Sequence, residues 1–170
     1  MTMRRFKQQL PETEVRQIMA ASTSGVLSLI DADGRPYGVP LSFVCDGSRA
    51  VYFHCAREGR KLGGLRRMPD GVAASFCIVA QDDVRPETFT TYFRSVIAEG
   101  RLSVVESPTE ICSALQMLAG KYAPGRDSAQ EIAKGIGHVT VLRLDIKSVT
   151  GKEAIELTRR REQTDPYTKE

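Results

Sequence analysis

Residues 51–65 read V-Y-F-H-C-A-R-E-G-R-K-L-G-G-L, a strand that runs straight into a basic, glycine-containing turn. Val51, Phe53 and Cys55 alternate with Tyr52, His54 and Ala56, the period-two spacing that gives a strand two distinct faces. The turn can begin a helix, whose first N–H groups have no partner within the helix and carry partial positive charge. Lys61 adds a full charge at that point. A strand feeding such a turn can hold a phosphate. It can equally be a plain strand-to-helix connection with solvated Arg and Lys. The stretch leaves both readings open, because it contains neither G-x-x-x-x-G-K-[ST] nor G-x-G-x-x-G.

The rest of the chain predicts a hairpin-rich fold. Proline and acids at Pro11-Glu12-Thr13-Glu14 start a helix to about Ala21 that buries Val15, Ile18 and Met19, with Ser24-Gly25 as its stop. Residues 26–30 form a strand, and Asp31-Ala32-Asp33-Gly34 turns it into a second over residues 35–44. Pro36 and Pro40 confine that second strand to an edge, a bulge or an irregular entry. Asp46-Gly47-Ser48 turns into the strand at 51–56, and a helix over 58–68 ends at Pro69-Asp70-Gly71. The small apolar run 72–79 predicts a buried strand, residues 80–88 a polar loop, and 89–98 a further strand. Gly100 marks a bend or bulge before 101–105. Ser107-Pro108-Thr109-Glu110 caps a helix over 111–122 with Ile111, Leu115 and Leu118 on one face. A short helix at 129–134 and a last strand at 139–149 follow, and the charged end frays from Thr164. The class is mainly β: a small barrel of six to seven mostly antiparallel strands with peripheral helices. One domain spans residues 1–158, and 159–170 is a flexible charged tail.

Composition excludes several functions. A formal charge of +3 over 170 residues is too small for a dedicated nucleic-acid binder. No apolar run approaches membrane-spanning length and no signal peptide is visible, so the expected location is cytoplasmic, without membrane or nucleic-acid partners. Cys45, Cys55, Cys77 and Cys112 form no C-x-x-C pair and no disulfide is expected; three of them fall in predicted strands, where a free cysteine packs as a small hydrophobe. His54 and His138 have no ligands at metal-site spacing, so no metal is expected. The Arg66-Arg67 pair and the Arg159-Arg160-Arg161 run read as solvated.

Several segments together carry a resemblance. They are Met3-Arg4-Arg5 with Gln9-Leu10-Pro11; Gly38-Val39-Pro40-Leu41-Ser42-Phe43; and Tyr52-Phe53-His54-Cys55-Ala56 with Glu58-Gly59-Arg60-Lys61. Further along come Ser75-Phe76-Cys77, Gln81-Asp82-Asp83, Thr90 to Ile97, Lys121-Tyr122, and Thr150 to Leu157. In this order and spacing the chain resembles the FMN-binding split β-barrel family that includes pyridoxamine 5′-phosphate oxidases, and within it the nitroimidazole-resistance branch. The resemblance implies a homodimer with FMN at its interface. It assigns Val39, Pro40, Leu41 and Ser42 to the flavin ring, and His54, Cys55 and Ala56 to the flavin and ribityl chain. Lys61, with Gly59 and Leu62 beside it, takes the phosphate. Arg94, Ser95 and Val96 line the cofactor site, often from the partner subunit.

His54 is the expected catalytic residue, since histidine titrates near neutrality and can supply a proton. The residues alone favour a barrel histidine satisfied by a carbonyl; the resemblance favours the functional role. Tyr92 and Phe93 can flank a flavin or pack in the core. Glu99 and Cys55 depart from the family pattern, where an apolar residue and a small one are expected. The implied activity is that of an FMN-dependent oxidoreductase resembling 5-nitroimidazole reductases, with NAD(P)H as transient donor and a small-molecule acceptor. The alternatives are a flavin-, haem- or deazaflavin-binding split barrel without such turnover, and an oxidase-like protein of other substrate.

Overall fold

The computed structural model describes residues 5–47, 49–68 and 70–164. Met3 and Arg4 of the basic leader, Ser48, Pro69 and the segment 165–170 lie outside the described residues. Seven strands form one antiparallel sheet: β1 (Ser24–Ile30), β2 (Pro36–Ser42), β3 (Val44–Cys45), β4 (Ala50–Ala56), β5 (Val72–Arg85), β6 (Thr90–Val104) and β7 (Val139–Glu153). Their order is β2-β1-β5-β6-β7-β4-β3. Among the described residues five α-helices accompany the sheet: α1 (Glu12–Ala21), α2 (Arg60–Leu65), α3 (Pro108–Tyr122), α4 (Ala129–Gly135) and α5 (Ile155–Thr164).

The order of the strands forces closure. β2 and β3 are the two edges of the sheet, yet Phe43 alone separates Ser42 from Val44. Consecutive Cα atoms are about 3.8 Å apart, so the sheet must curl until its edges nearly meet. Phe43 is fully buried at this corner, with its ring 4.7 Å from that of Phe76, which in turn lies 4.9 Å from Phe53. Side chains from β1, β4, β5, β6 and β7 thus share one core, including Leu27, Phe53, Phe76, Val96 and Leu142. Tyr122, the last residue of α3, fixes the corner from outside. Its hydroxyl accepts the Phe43 N–H at 2.8 Å and lies within bonding distance of the Phe43 and Thr23 carbonyls. Lys121 stands 3.9 Å from the Phe43 ring centre.

β4 is buried on both sides. Val51, Phe53 and Cys55 enter the barrel, while Ala50 and Tyr52 meet Ala114 and Leu118 of α3. The prolines of β2 sit on an edge strand, as their missing donors require. Gly100 occupies a bulge against β7, where a Cβ would come within 1.9 Å of the Asp145 carbonyl oxygen. Glu99 points to solvent and accepts the Ser148 hydroxyl at 3.0 Å, so this departure leaves the wall intact.

Four expectations are corrected. Ser24-Gly25 is strand, and Gly25 is required by a close approach in which a Cβ would meet Phe76 at 2.5 Å. Residues 80–88 are mostly not loop: β5 continues to Arg85 and pairs with β6 to Thr90, with a bulge between Val79 and Gln81. A backbone ladder does not depend on side-chain polarity, so composition misses it. The helix expected over 58–68 shrinks to the six residues of α2, because Gly59 adopts φ +140° and Gly63 and Gly64 propagate a helix poorly. Finally, α5 occupies much of the expected tail. Leu157 and Thr158 are buried, and Arg161 lies 3.1 Å from the wholly buried carboxylate of Glu153. Solvation of the three-arginine run therefore does not hold for Arg161.

Replacing Tyr122 by Phe strands the buried Phe43 N–H and should cost about 1–3 kcal/mol. The check is urea or thermal unfolding, with a melting point roughly 2–4 °C lower for each kcal/mol lost.

Candidate functional site

Strand β4 and the turn after it deliver the first group of predicted residues. His54 continues the outer face of β4 beyond the cover of α3, so its side chain is exposed and does not belong to the barrel interior. This corrects the reading of a barrel histidine. Cys55 faces the core, and burial pushes its thiol up, against the opposing pull of Lys61 and Arg66. Burial likewise pushes the Cys45 thiol up to about 11. Both cysteines are thus poor nucleophiles at neutral pH. Ala56 is exposed, and Leu62 is a core residue.

The basic turn divides its charges between two tasks. Arg60 is taken by Asp31: its Nε and Nη2 both approach Oδ2 at 2.7 Å, and its guanidinium lies 4.5 Å from the Tyr37 ring centre. Asp31 also accepts the backbone N–H groups of Arg35 at 2.8 Å and Asp33 at 3.0 Å. The Arg35 N–H leads in holding the Asp31 carboxyl below its usual range, Arg60 helps, and burial opposes them. Lys61 is half-buried and has no ion-pair partner among the described residues.

Strand β2 alternates. Val39 and Leu41 pack against the core, whereas Pro40 and Ser42 face outward. Barrel closure brings Ser42 to the same groove as His54, a concavity of about 660 Å³ whose other wall is α3 and α4. Tyr122, Ile132, Ile136 and Val139 line it, so its surface is mainly apolar. A larger concavity of about 740 Å³ is lined by residues of β1, β2, β5, β6 and β7 and contains none of the predicted site residues. We place the candidate site at the smaller groove, because it sets two of the predicted site residues, Ser42 and His54, against a mainly apolar wall.

Arg94, Ser95 and Val96 lie elsewhere in the single chain. Val96 is buried in the core. Arg94 donates from Nε to Glu153 Oε2 at 3.2 Å and borders a different depression, beside Glu14 and Thr23. Tyr92 and Phe93 are outside both core clusters: Arg85 and Arg160 lie 5.3 and 5.0 Å from the Tyr92 ring centre, and Lys152 lies 5.3 Å from that of Phe93. Sequence reasoning missed the α3–α4 wall. Its only signal was the amphipathic pattern of α3, which is equally a core pattern. Among the described residues no group of three or more His, Cys, Asp or Glu side chains could hold a metal ion, and no helix is long and apolar enough to cross a membrane.

Comparisons with known proteins agree on the fold. A family profile described as pyridoxamine 5′-phosphate oxidase matches residues 11–153. No curated protein matches by sequence. A conserved hypothetical protein from Mycobacterium tuberculosis is 19% identical with a TM-score of 0.75, covering 99% of this chain and 97% of that one. A candidate 5-nitroimidazole antibiotic resistance protein from Bacteroides thetaiotaomicron is 20% identical with a TM-score of 0.70, covering 85% and 86%. An FAD and haem binding protein from Mycobacterium smegmatis is 18% identical with a TM-score of 0.70, covering 86% and 73%. At such identities the likeness shows the fold alone.

Asp31 gives this region an acid limit. A carboxylate whose pKa is depressed on folding stabilises the protein above its unfolded value of about 3.9, and that contribution fades as pH falls through the lower folded value. Asp31→Asn should therefore flatten the loss of stability below about pH 5, read from urea midpoints between pH 7 and pH 2.5.

Proposed function

The chain belongs to the pyridoxamine 5′-phosphate oxidase family, and on that premise we propose that it is an FMN-dependent oxidoreductase that reduces a nitro compound or another small acceptor. The observation that carries the reading is the half-buried Lys61, which has no ion-pair partner among the described residues, beside a neighbour, Arg60, already neutralised by Asp31. A phosphate is the partner such a cation lacks. The residues present fit FMN: Lys61 and the Gly59 turn for the phosphate, the outward side of β2 at Pro40 and Ser42 for the flat ring, and His54 next to it. Val39, Leu41, Cys55, Leu62 and Val96 turn their side chains inward, so they would serve through backbone or as support.

When bound, FMN supplies two-electron transfer between a transient nicotinamide donor and the acceptor. The chain's residues do the rest. Reducing a nitro group to nitroso takes two electrons and two protons and releases water; NAD(P)H gives the electron pair and one proton as hydride, and the second proton comes from solvent. His54, one of the residues lining the groove, would relay that proton. The mainly apolar α3–α4 wall would shield one side of the bound ring. The separation of Arg94 and Ser95 from the groove favours a homodimer in which these residues come from the partner subunit. A second reading rests on His54: an imidazole beside an apolar groove would also suit the holding of a haem iron, and a relative is described as binding haem with FAD.

The visible spectrum of the purified protein separates the readings. Flavin bands bleached by NAD(P)H are expected; a Soret band would replace the first reading by the second. Lys61→Ala should weaken FMN by roughly 10- to 150-fold, the equivalent of about 1.5–3 kcal/mol for one ionic hydrogen bond; unchanged affinity removes the phosphate assignment. His54→Ala should retain FMN but lower turnover roughly 100-fold or more, and full turnover would end its relay role. For the dimer, the test mixes Lys61→Ala chains with Ser95→Trp chains. If the site is shared, heterodimers regain one intact FMN site; a mixture that stays empty argues against sharing.

A further inference from the structure

The wall that faces Ser42 and His54 is anchored at both ends and lightly held between them. On the α3 side, the Tyr122 hydroxyl is bonded at the barrel corner. On the other side, β7 begins at Val139, which pairs with Ala56 at the end of β4. Residues 124–138, which include α4, span the two anchors without one buried residue. Ile132 and Ile136 of this segment line the groove, and Ile136 remains 37% exposed. Side-chain hydrogen bonds add little. Asp127 accepts the Ala129 N–H at 3.0 Å and Lys134 reaches Glu131 at 3.1 Å, so both bonds stay within the segment. Among the described residues, one side-chain hydrogen bond joins the segment to the barrel: Arg57 Nη1 donates to the Gly137 carbonyl at 2.9 Å.

We propose that residues 124–138 are a hinged gate on the groove and that Arg57 is its latch. Latched, the segment supplies the α4 side of the concavity of about 660 Å³. Released, it leaves that side open to an entering or departing ligand. Three observations favour movement here. A segment that buries nothing loses few apolar contacts when it opens, so its local opening costs far less than global unfolding. Glycines stand at both ends: Gly125 has φ +76°, and at Gly135 and Gly137 a Cβ would meet nothing within 4 Å. The latch is mounted on the rigid side, since Arg57 directly follows β4 and its own carbonyl accepts a hydrogen bond from Arg66, just beyond α2. One arginine-to-carbonyl bond in water is strong enough to bias the closed position and weak enough to break and re-form. The gate does not need the flavin reading; where that reading holds, the gate controls access to the cofactor groove.

Hydrogen exchange of the full chain, read peptide by peptide in a mass spectrometer, measures the opening. Peptides within 124–138 should exchange faster than those of α3. Arg57→Ala should speed exchange in 124–138 by about 2- to 10-fold and leave α3 unchanged. Gly135→Ala should slow it by about 2- to 5-fold, because Gly135 already has helical backbone angles and alanine there restricts the open state. The two variants act in opposite directions, so a folding failure of one leaves the other decisive. A thiol on α3 then separates a gate from a helix that frays in place. Ala119 lines the groove, and in Ala119→Cys the labelling of residue 119 by N-ethylmaleimide should quicken when Arg57→Ala is added and slow with Gly135→Ala. Exchange in 124–138 that neither variant changes overturns the latch. Faster exchange without faster labelling overturns the gate. FMN uptake by the same proteins is measured separately by ultrafiltration: gating without uptake keeps the gate and removes the flavin reading, and uptake without gating does the reverse.

Discussion

Closure of the sheet at Phe43 is the constraint on which the rest of this molecule depends. One residue joins the two edge strands, so the barrel has no freedom to open without tearing Phe43 from Phe76. The corner backbone faces a difficulty of its own, because a buried N–H at a strand break has no ladder partner. Tyr122 supplies one from the end of α3. The same helix therefore covers β4 and secures the corner, and the groove beside it inherits its shape from both contacts.

The double burial of β4 explains where chemistry is possible. Along most of its length both faces are occupied, by the barrel core on one side and by α3 on the other. Only where the cover of α3 ends does the outer face reach open space, and His54 stands there. An exposed imidazole next to an apolar wall is thus a consequence of helix length and strand length together.

Charges in the fold are allotted with similar consequence. Glu153 is wholly buried and lies between Arg94 and Arg161, so removing either arginine would leave an underpaired charge in the interior. Arg161 Nη2 is within 3.1 Å of Glu153 Oε1 but not aligned to hydrogen-bond it, so that contact is Coulombic. Arg60 is held by Asp31 in a comparable way. What distinguishes Lys61 from these arginines is the lack of an ion-pair partner among the described residues, and its place in α2, just after β4, makes that lack relevant to ligand binding.

Much of this was legible in the chain. Proline at 36 and 40 marked an edge strand, the V-Y-F-H-C-A alternation gave the two faces of β4, and Gly100 marked the bulge, because each is a local steric or periodic constraint. The predicted residues Ser42 and His54 do share a groove. Other features depend on partners distant in sequence. The polar stretch after Val79 becomes strand because β6 offers it a ladder, and the arginine-rich end folds back because Glu153 is buried beneath it. The same holds within the basic turn, where Arg60 and Lys61 are adjacent and alike in charge. Asp31, from another hairpin, neutralises the first and leaves the second without an ion-pair partner among the described residues. Periodicity and turn chemistry act between neighbours in sequence, so the sequence determined them. Charge pairing, barrel closure and the α3–α4 wall act between segments far apart in the chain, and only the tertiary structure decided those.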